Sequence, residues 1–185
     1  VHHHRWERIS SNPFQAFLKE GNWTWANALR EAGYQTGVIG ALHAMPIRAD
    51  YGFDTMRLCD WGSRADMESG NPRNRDDYFE WMKAQGLDER RQPDGSPVRG
   101  NGVMDGYHWP HGIDKHPISW VRDRAIEYID KNRAAKQDYL AYISFKSPHS
   151  PYHPAEPYAS MYDPASIPLR TDSWNDMEGY VPALD

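Results

Sequence analysis

The fold is decided by Thr24–His43, which reads TWANALREAGYQTGVIGALH. Its first half has apolar residues at the spacing of an amphipathic helix, and these are Trp25, Ala28, Leu29 and Ala32. Thr24 is in position to cap that helix, and Gly33 is in position to end it. The apolar run Gln35–Gly40 then predicts a short buried strand. A helix, a tight turn and a short apolar strand in this order indicate a layered α/β fold.

Two further helices are predicted. We expect one at Asp77–Gln85, with Asp76 as its cap and a glycine just past its end. We expect another at Trp120–Asn132, with Ser119 as its cap, because apolar residues recur along one face of that segment. Both helices follow long polar stretches, which favours a fold in which loops carry much of the chain.

A second strand is predicted at Tyr139–Phe145. This run is almost entirely apolar, which is typical of a strand buried on both faces of a sheet. Residues 44–75 and 88–118 have little periodicity and many Gly, Pro, Asn and Asp residues, so we predict that both are loops. Loops of this length in a compact domain are either functional or loosely ordered.

The composition excludes two classes of protein. The chain has 185 residues, which is enough for one domain, and 39% of them are hydrophobic. A net charge of -5 argues against a general nucleic-acid binder, which would have a basic face. No run approaches the roughly 18 apolar residues of a membrane span. A small anionic substrate is compatible with this charge, because a pocket can be locally positive on an acidic protein.

The cysteine usage and the N-terminus leave the cellular compartment open. Cys59 is the only cysteine, so the sequence has no disulfide framework and no Cys-rich zinc site. We expect Cys59 to be a buried structural thiol. The first ten residues, VHHHRWERIS, contain neither an apolar signal segment nor an initiator Met, and we expect the true start to lie upstream.

Two histidines follow the two predicted strands. His43 comes after Gln35–Gly40, and His149 comes after Tyr139–Phe145. If both strands are parallel in one sheet, both imidazoles emerge at the edge where ligands bind in open α/β sheets. There they can donate hydrogen bonds to a tetrahedral oxyanion or protonate a leaving oxygen near neutral pH. A lone histidine after a strand is more often a turn or surface residue, so it is the pair that points to a site.

Three segments carry a resemblance to a known family. Thr24–His43, followed by YGFD at Tyr51–Asp54, resembles the pattern T-x-x-x-x-L-x-x-A-G-Y-x-T-x-x-x-G-K-x-H … Y-G-F-D. YISFKSPHSPYHP at Tyr142–Pro154, with EPY and MYDP shortly after it, resembles a block in which an apolar strand runs into P-H-x-P. Trp120–Ile129 resembles the helix before that strand. These motifs resemble the sulfatase family of the alkaline phosphatase superfamily, which includes arylsulfatases and phosphonate monoester hydrolases.

The resemblance implies a fold and an activity. The fold would be an alkaline phosphatase-like α/β/α sandwich with a mixed, largely parallel central sheet. Residues 1–185 would form part of a single catalytic domain, without its N-terminal nucleophile region and its C-terminal metal-ligand region. The intact enzyme would hydrolyse a small anionic ester of sulfate, phosphate or phosphonate. We expect this chain alone to be inactive, with the remainder of the same polypeptide as its partner.

The resemblance also implies roles for particular residues. His43, from G-K-x-H, and His149, from P-H-x-P, would bind the anionic group and act as the catalytic histidines. Ala41 stands where the family has a lysine, so it marks a changed substrate or a lost activity. Asn12 corresponds weakly to a family asparagine that contacts the substrate.

Other parts of the family's machinery have no counterpart in this sequence. The nucleophile motif C/S-x-P-S/A-R, whose cysteine becomes formylglycine, is absent, and Cys59 lies in a different context. A divalent ion, Ca²⁺ or Mn²⁺, is implied by the resemblance only, and hard oxygen ligands would hold it. We assign no metal ligand in this chain.

Several histidines leave alternatives open. His2–His4 are interpreted either as native sequence near the pocket rim or as a tag remnant. A loop with Asp105 and Asp114 also contains three further histidines, which are His108, His111 and His116. Their spacing allows a metal site, but a solvated loop is the more common case. His153 either lines the pocket rim or, more commonly for such a residue, contacts the Tyr/Pro-rich surface.

The function itself also has alternatives. A non-catalytic binding protein or a degenerate homologue on the same fold would explain Ala41 and the missing nucleophile. A His-rich metal-binding module is the third hypothesis.

Overall fold

The computed structural model describes residues 21–44, 47–60, 70–98, 106–149 and 152–167. Its sheet has three strands, which are β1 at Gln35–Gly40, β2 at Thr55–Leu58 and β3 at Tyr139–Ser144. Their order is β2-β1-β3, and both pairings are parallel. The prediction that the first and last of these strands lie parallel in one sheet is therefore confirmed.

Three helices cover the two faces of this sheet. They are α1 at Trp25–Glu31, α2 at Asp77–Ala84 and α3 at Pro117–Ala134. α1 packs against β1 on one face, and α3 packs against β1 and β3 on the other face. α2 lies on the same side as α3, next to β2. The result is a three-layer α/β/α arrangement, and no helix within the described ranges is long and apolar enough to cross a membrane.

The core beneath α3 depends on a glycine in β1. The ring of Tyr128 lies directly over Gly37, where a Cβ atom would collide with it. The Tyr128 hydroxyl donates to the carbonyl oxygens of Gln35 (2.9 Å) and Leu140 (3.2 Å), so it joins β1 to β3. The rest of this core is Ile39, Cys59, Tyr78, Met82, Trp109, Trp120, Val121, Ala125 and Ala155. Because Gly37 has no side chain, Tyr128 can lie against β1, and this contact positions α3 on the sheet.

The core beneath α1 is closed by the YGFD turn. Val38 and Leu58 from the sheet pack there against Ala26, Tyr51 and Phe53. The buried Thr36 hydroxyl donates to the carbonyl oxygen of Gly52 at 2.7 Å, and its backbone N–H donates to Asp54 at 3.1 Å.

The helix predictions are largely confirmed, with one correction at a helix start. Thr24 caps α1 and Asp76 caps α2, as expected. α3 begins at Pro117 rather than Trp120, and its cap is His116 instead of Ser119. Proline is well suited to the first position of a helix, because the N–H group it lacks would have no partner there. The sequence-based prediction followed the serine, a common cap, and overlooked the imidazole nitrogen.

The prediction of a loop over residues 44–75 is wrong at β2. This strand is only four residues long, and only its last residue, Leu58, is buried. So short a run shows no clear alternation, which explains why the sequence pattern missed it. Residues Pro72–Asn74 form a 3-10 turn in the same stretch, and Ile113–Lys115 form another in the second predicted loop.

The strand predicted at Tyr139–Phe145 exists, but it is not buried on both faces. Among the described residues β3 has a neighbour on one side only, which is β1. Tyr142 and Ile143 are each more than one-third exposed as a consequence. Several apolar side chains of β3 are therefore not covered by the described part of the chain.

Candidate anion-binding site

Both candidate histidines lie beyond the carboxyl ends of neighbouring strands. β1 ends at Gly40 and β3 ends at Ser144, and these two residues are register partners. His43 follows β1 after a two-residue gap, and His149 follows β3 after a slightly longer one. The structure therefore brings both residues to the same edge of the sheet, as the sequence predicted.

The chain turns sharply where β1 ends. Gly40 has a φ of +102°, and a Cβ atom at this position would collide with the carbonyl oxygen of Ser144. His43 also has a positive φ, of 58°, which non-glycine residues adopt only under constraint. Two hydrogen bonds supply that constraint, because the carboxylate of Asp60 accepts the backbone N–H groups of Leu42 (3.2 Å) and His43 (2.7 Å).

Asp60 is the side chain that holds the His43 loop. It is buried, and Oδ1 lies 3.6 Å from Nδ1 of His43. Burial raises the pKa of the Asp60 carboxyl group, while the His43 and Leu42 hydrogen bonds and the charge of Lys146 oppose that rise. Because Asp60 faces Nδ1, the other ring nitrogen of His43 is the one suited to a ligand. The His43 side chain is 60% exposed and thus accessible to one.

Asp76 holds the backbone of Asp60 in place. One of its carboxylate oxygens accepts the backbone N–H of Asp60 at 2.6 Å, and the other accepts that of Phe79 at 2.9 Å. The same buried side chain therefore caps α2 and fixes the start of the loop after β2. Through Asp60, this contact also positions His43.

Lys146 is a site residue that the sequence analysis missed. Its ammonium group donates to the backbone carbonyl oxygen of Asp60 at 3.3 Å. Burial lowers the pKa of Lys146, and the nearby charge of Asp60 opposes that shift. A lysine directly after the predicted strand and three residues before His149 was the available signal.

His149 lies on a turn that begins at Lys146. Its backbone N–H donates to the carbonyl oxygen of Lys146 at 2.9 Å, and its side chain is exposed. Lys146 and His149 both line one small cavity, together with Cys59 and His153. Because Lys146 also bonds to Asp60, the loop that carries His149 is joined to the residue that holds His43.

A buried histidine pair forms the wall behind His149. Nε2 of His116 lies 3.1 Å from Nδ1 of His153 and 3.0 Å from the carbonyl oxygen of His153. Nδ1 of His116 accepts the backbone N–H of Ile118, so in the neutral ring the proton is on Nε2. His153 Nδ1 then accepts, and its own proton is on Nε2.

Burial disfavours the charged form of both rings of this pair. Burial lowers the pKa of His116, and burial together with the neighbouring His116 lowers that of His153 to about 4. The expectation that His153 contacts the surface is therefore corrected, because only 6% of the residue is exposed. The Pro154–Trp109 backbone hydrogen bond and the ring of Trp109 enclose it.

The other predicted site residues contribute little to this edge, or lie outside the described residues. Ala41 is buried, and its backbone N–H donates to the carbonyl oxygen of Ser144 at 3.1 Å. Asn12 and His2–His4 lie outside the described residues. Cys59 is buried as expected, and burial raises the pKa of its thiol. Neither its burial nor its sequence context suits a formylglycine nucleophile.

The described residues do not fit a metal centre. No group of three or more His, Cys, Asp or Glu side chains among them could hold a metal ion. The three loop histidines are separated: His116 is buried at the helix start, and His111 Nε2 contacts the carbonyl oxygen of Asp88 at 2.9 Å. His108 is exposed, with Nδ1 3.9 Å from Glu156. Nothing in these contacts supports the metal-binding module.

Comparison with known proteins gives one family and two informative structures. A sequence model of the Sulfatase family matches residues 9–184. The phosphonate monoester hydrolase SpPMH from Silicibacter pomeroyi aligns with a TM-score of 0.57 and 21% identity over 89% of this chain. The phosphonate monoester hydrolase of Agrobacterium radiobacter aligns with a TM-score of 0.50 and 19% identity over 79% of this chain. No curated protein matches the sequence.

The matched structures are much longer than this chain. The alignment covers 34% of the Silicibacter protein and 29% of the Agrobacterium protein, so this chain spans about a third of their length. At these identities the likeness establishes the fold, which is of the alkaline phosphatase type.

Proposed function

Because this chain belongs to the sulfatase family, we propose that it forms the anion-binding part of a hydrolase that cleaves sulfate, phosphate or phosphonate monoesters. The observation that supports this most is the position of His43 and His149 beyond adjacent parallel strands. Lys146 and Asp60 join the two loops at that edge. The fold brings the two loops to one edge of the sheet, and the side chains on them provide hydrogen-bond donors for an anion.

Lys146, His43 and His149 present N–H donors to one anion. In the ester, they hold the tetrahedral group through hydrogen bonds, of which the one from the ammonium group is charge-assisted. In the transition state, negative charge grows on the oxygen atoms around sulfur or phosphorus, and these preorganised donors then bind more strongly. His149 is exposed enough to reach the ester oxygen and to give it a proton as it leaves.

In this proposal the ammonium group of Lys146 replaces that of the lysine which the family pattern has at position 41. The family pattern has a lysine at that position, and this chain has a buried alanine. The ammonium group of Lys146 reaches the same edge of the sheet from the neighbouring strand, where it contacts Asp60. The edge therefore keeps one cation, which comes from a different position in the chain. Both similar structures are phosphonate monoester hydrolases, which favours a phosphonate monoester.

The remaining machinery belongs to other parts of the polypeptide in this proposal. Residues 1–185 form one portion of a single catalytic domain, and the nucleophile and the metal ligands come from elsewhere in it. No catalytic step is assigned here to a metal ion, because the described residues do not fit one.

Calorimetric titration with inorganic sulfate and methylphosphonate tests the proposal. We expect 1:1 binding to the chain, and we expect His149→Gln to weaken it about 10- to 100-fold, the value of a hydrogen bond to a charged group. His108→Gln is the matched control, because His108 is exposed and lies outside this edge. Equal affinities for His149→Gln and the unmodified chain would contradict the proposal.

A non-catalytic anion-binding protein is the second candidate function. Ala41 and the absence of a nucleophile motif favour it. It predicts the same anion affinities, but no hydrolysis of a phenyl phosphonate monoester by the longest polypeptide that contains this chain. Hydrolysis that is lost in His149→Gln would exclude it.

A further inference from the structure

A second cavity adjoins His149. Its volume is about 410 Å³, and it lies between the N-terminal turn of α3 and the loop that follows β3. Much of its wall is apolar, with Ile113 and Ile118 on one side and Pro154 and Tyr158 on the other. The anion site described above makes no use of this space.

The apolar side chains of this cavity are open to water. Ile113, Ile118 and Tyr158 are 43%, 41% and 59% exposed, although all three face one concave space. An apolar group that enters such a space displaces water from both surfaces, which is favourable in proportion to the area buried. A largely apolar concavity with a few polar groups at one end is the usual form of a small-molecule site.

The polar groups in the wall do not call for a charged ligand. His116 and His153 line the cavity and are paired with each other through ring and backbone atoms. Burial lowers the pKa of both rings and so disfavours a positive charge in this wall. A sugar would place several hydroxyl groups against Ile113, Ile118 and Tyr158, where they would lose their hydrogen bonds to water. The wall therefore fits an apolar group.

We propose that this cavity, called here the apolar pocket, binds the alkyl or phenyl group of the ester whose anionic head is held at His149. His149 lines the apolar pocket and also the small cavity that contains Lys146, so one molecule can occupy both. The inference rests on the proposed function, and it narrows the substrate to monoesters of apolar alcohols or phenols.

A homologous series of monoalkyl phosphates, in which the alkyl group is joined through the ester oxygen, tests the proposal. The dissociation constants of the methyl to hexyl compounds for the chain are measured by calorimetry. We expect Kd to fall about fourfold for each methylene group that becomes buried. In Ile113→Asn we expect this slope to flatten, while the Kd of inorganic phosphate is unchanged, because Ile113 lines the apolar pocket but not the small cavity that contains Lys146. Asparagine is uncharged, so the variant leaves the charge near the anion site as it was.

Ile126→Asn is the matched control. Ile126 is on α3, is exposed to a similar degree as Ile113, and lines neither the apolar pocket nor the small cavity. It should leave the slope unaltered. A Kd that does not depend on alkyl length, or a slope that both variants reduce equally, would overturn the proposal.

The measurements distinguish a wrong assignment of the apolar pocket from a wrong proposed function. If inorganic phosphate binds but alkyl length has no effect, the apolar pocket is refuted and the proposed function stands. If n-hexanol binds as tightly as monohexyl phosphate, and Ile113→Asn weakens both equally, the anionic head contributes nothing. That result overturns both the ester assignment and the proposed function.

Discussion

Lys146 has a charge where burial disfavours it. The ammonium group contacts the backbone carbonyl oxygen of Asp60, and burial lowers its pKa. A buried charge of this kind is weak evidence for stability, because its desolvation costs as much as its contacts return. Lys146 and His149 line the same small cavity, so in the proposed function Lys146 brings a cation to the anion site.

Replacing Lys146 by methionine separates these two roles. Methionine has a similar length and no charge, so we expect the free energy of unfolding to stay the same or to rise. We expect the affinity for inorganic sulfate to fall about tenfold, the value of one charge-assisted hydrogen bond. Urea unfolding and calorimetry measure the two quantities, and Lys83→Met, at an exposed position, is the control. Loss of stability without loss of affinity would assign Lys146 a structural role.

His153 makes the stability of the chain depend on pH. Its pKa is about 4 in the folded chain, against 6.5 as the ordinary value, so the unfolded chain binds the proton more readily. Stability from this residue is present above pH 6.5 and is lost as the pH falls towards 4. Between pH 7 and pH 4.5 we expect a loss of about 2 kcal/mol from His153 alone.

Urea unfolding at both pH values, compared with that of His153→Gln, isolates this contribution. The comparison is needed because the pKa values of Asp60 and Glu89 are raised by burial. Those carboxyl groups act in the opposite sense, since stability from them falls as the pH rises. The variant should show the smaller loss on acidification, and an identical loss would contradict the buried, neutral state of His153.

At the scale of single residues, the sequence proposed His43 and His149 as candidates but did not predict the residues that hold their loops. Both histidines were found because each follows an apolar run, a feature that is local in the chain. Asp60 and Lys146 act on them from other segments, and only the three-dimensional fold brings these contacts about. His153 was wrongly expected at the surface, because its partner His116 is 37 residues away.

The turn at the end of β1 is the element on which the anion site depends. Gly40 combines a φ of +102° with an approach of the Ser144 carbonyl oxygen that leaves no room for a side chain. Two strands and the His43 loop meet at this point. A change here therefore affects the whole edge of the sheet rather than one side chain.

Gly40→Ala should destabilise the chain severely. We expect the free energy of unfolding to fall by about 3 kcal/mol or more, because the new methyl group meets backbone that cannot move aside. Gly33→Ala is the matched control: Gly33 has a φ of +90°, but no atom lies within 4 Å of a Cβ atom built there. Its cost should be about 1–2 kcal/mol, from backbone strain alone. Urea unfolding of both variants measures the difference, and equal costs would show that the close approach at Gly40 is absent.

Elements with their own local signal were predicted well, and the others were not. α1 and α2 have standard caps, and β1 is a compact apolar run between glycines. β2 has no such signal, because its place is set by pairing with β1. β3 was predicted, but its degree of burial was not, since burial depends on which strands lie beside it.

At the scale of the whole molecule, the family resemblance and the fold agree. Residues 9–184 match the sulfatase family, and the α/β/α layers align with two phosphonate monoester hydrolases. The chain spans about a third of those proteins, and the fold by itself does not identify a substrate. Composition alone indicated only a globular, non-basic protein of about one domain, because it contains no information on which loops meet.

The most direct test follows the ring nitrogen signals of all histidines by NMR while inorganic sulfate is added. If His43 and His149 bind the same anion, their signals shift together and give a single Kd. The signals of His108 and His111 should stay in place, because the described contacts put these residues elsewhere. Shifts of His43 and His149 with two different Kd values, or shifts at neither residue, would contradict the account.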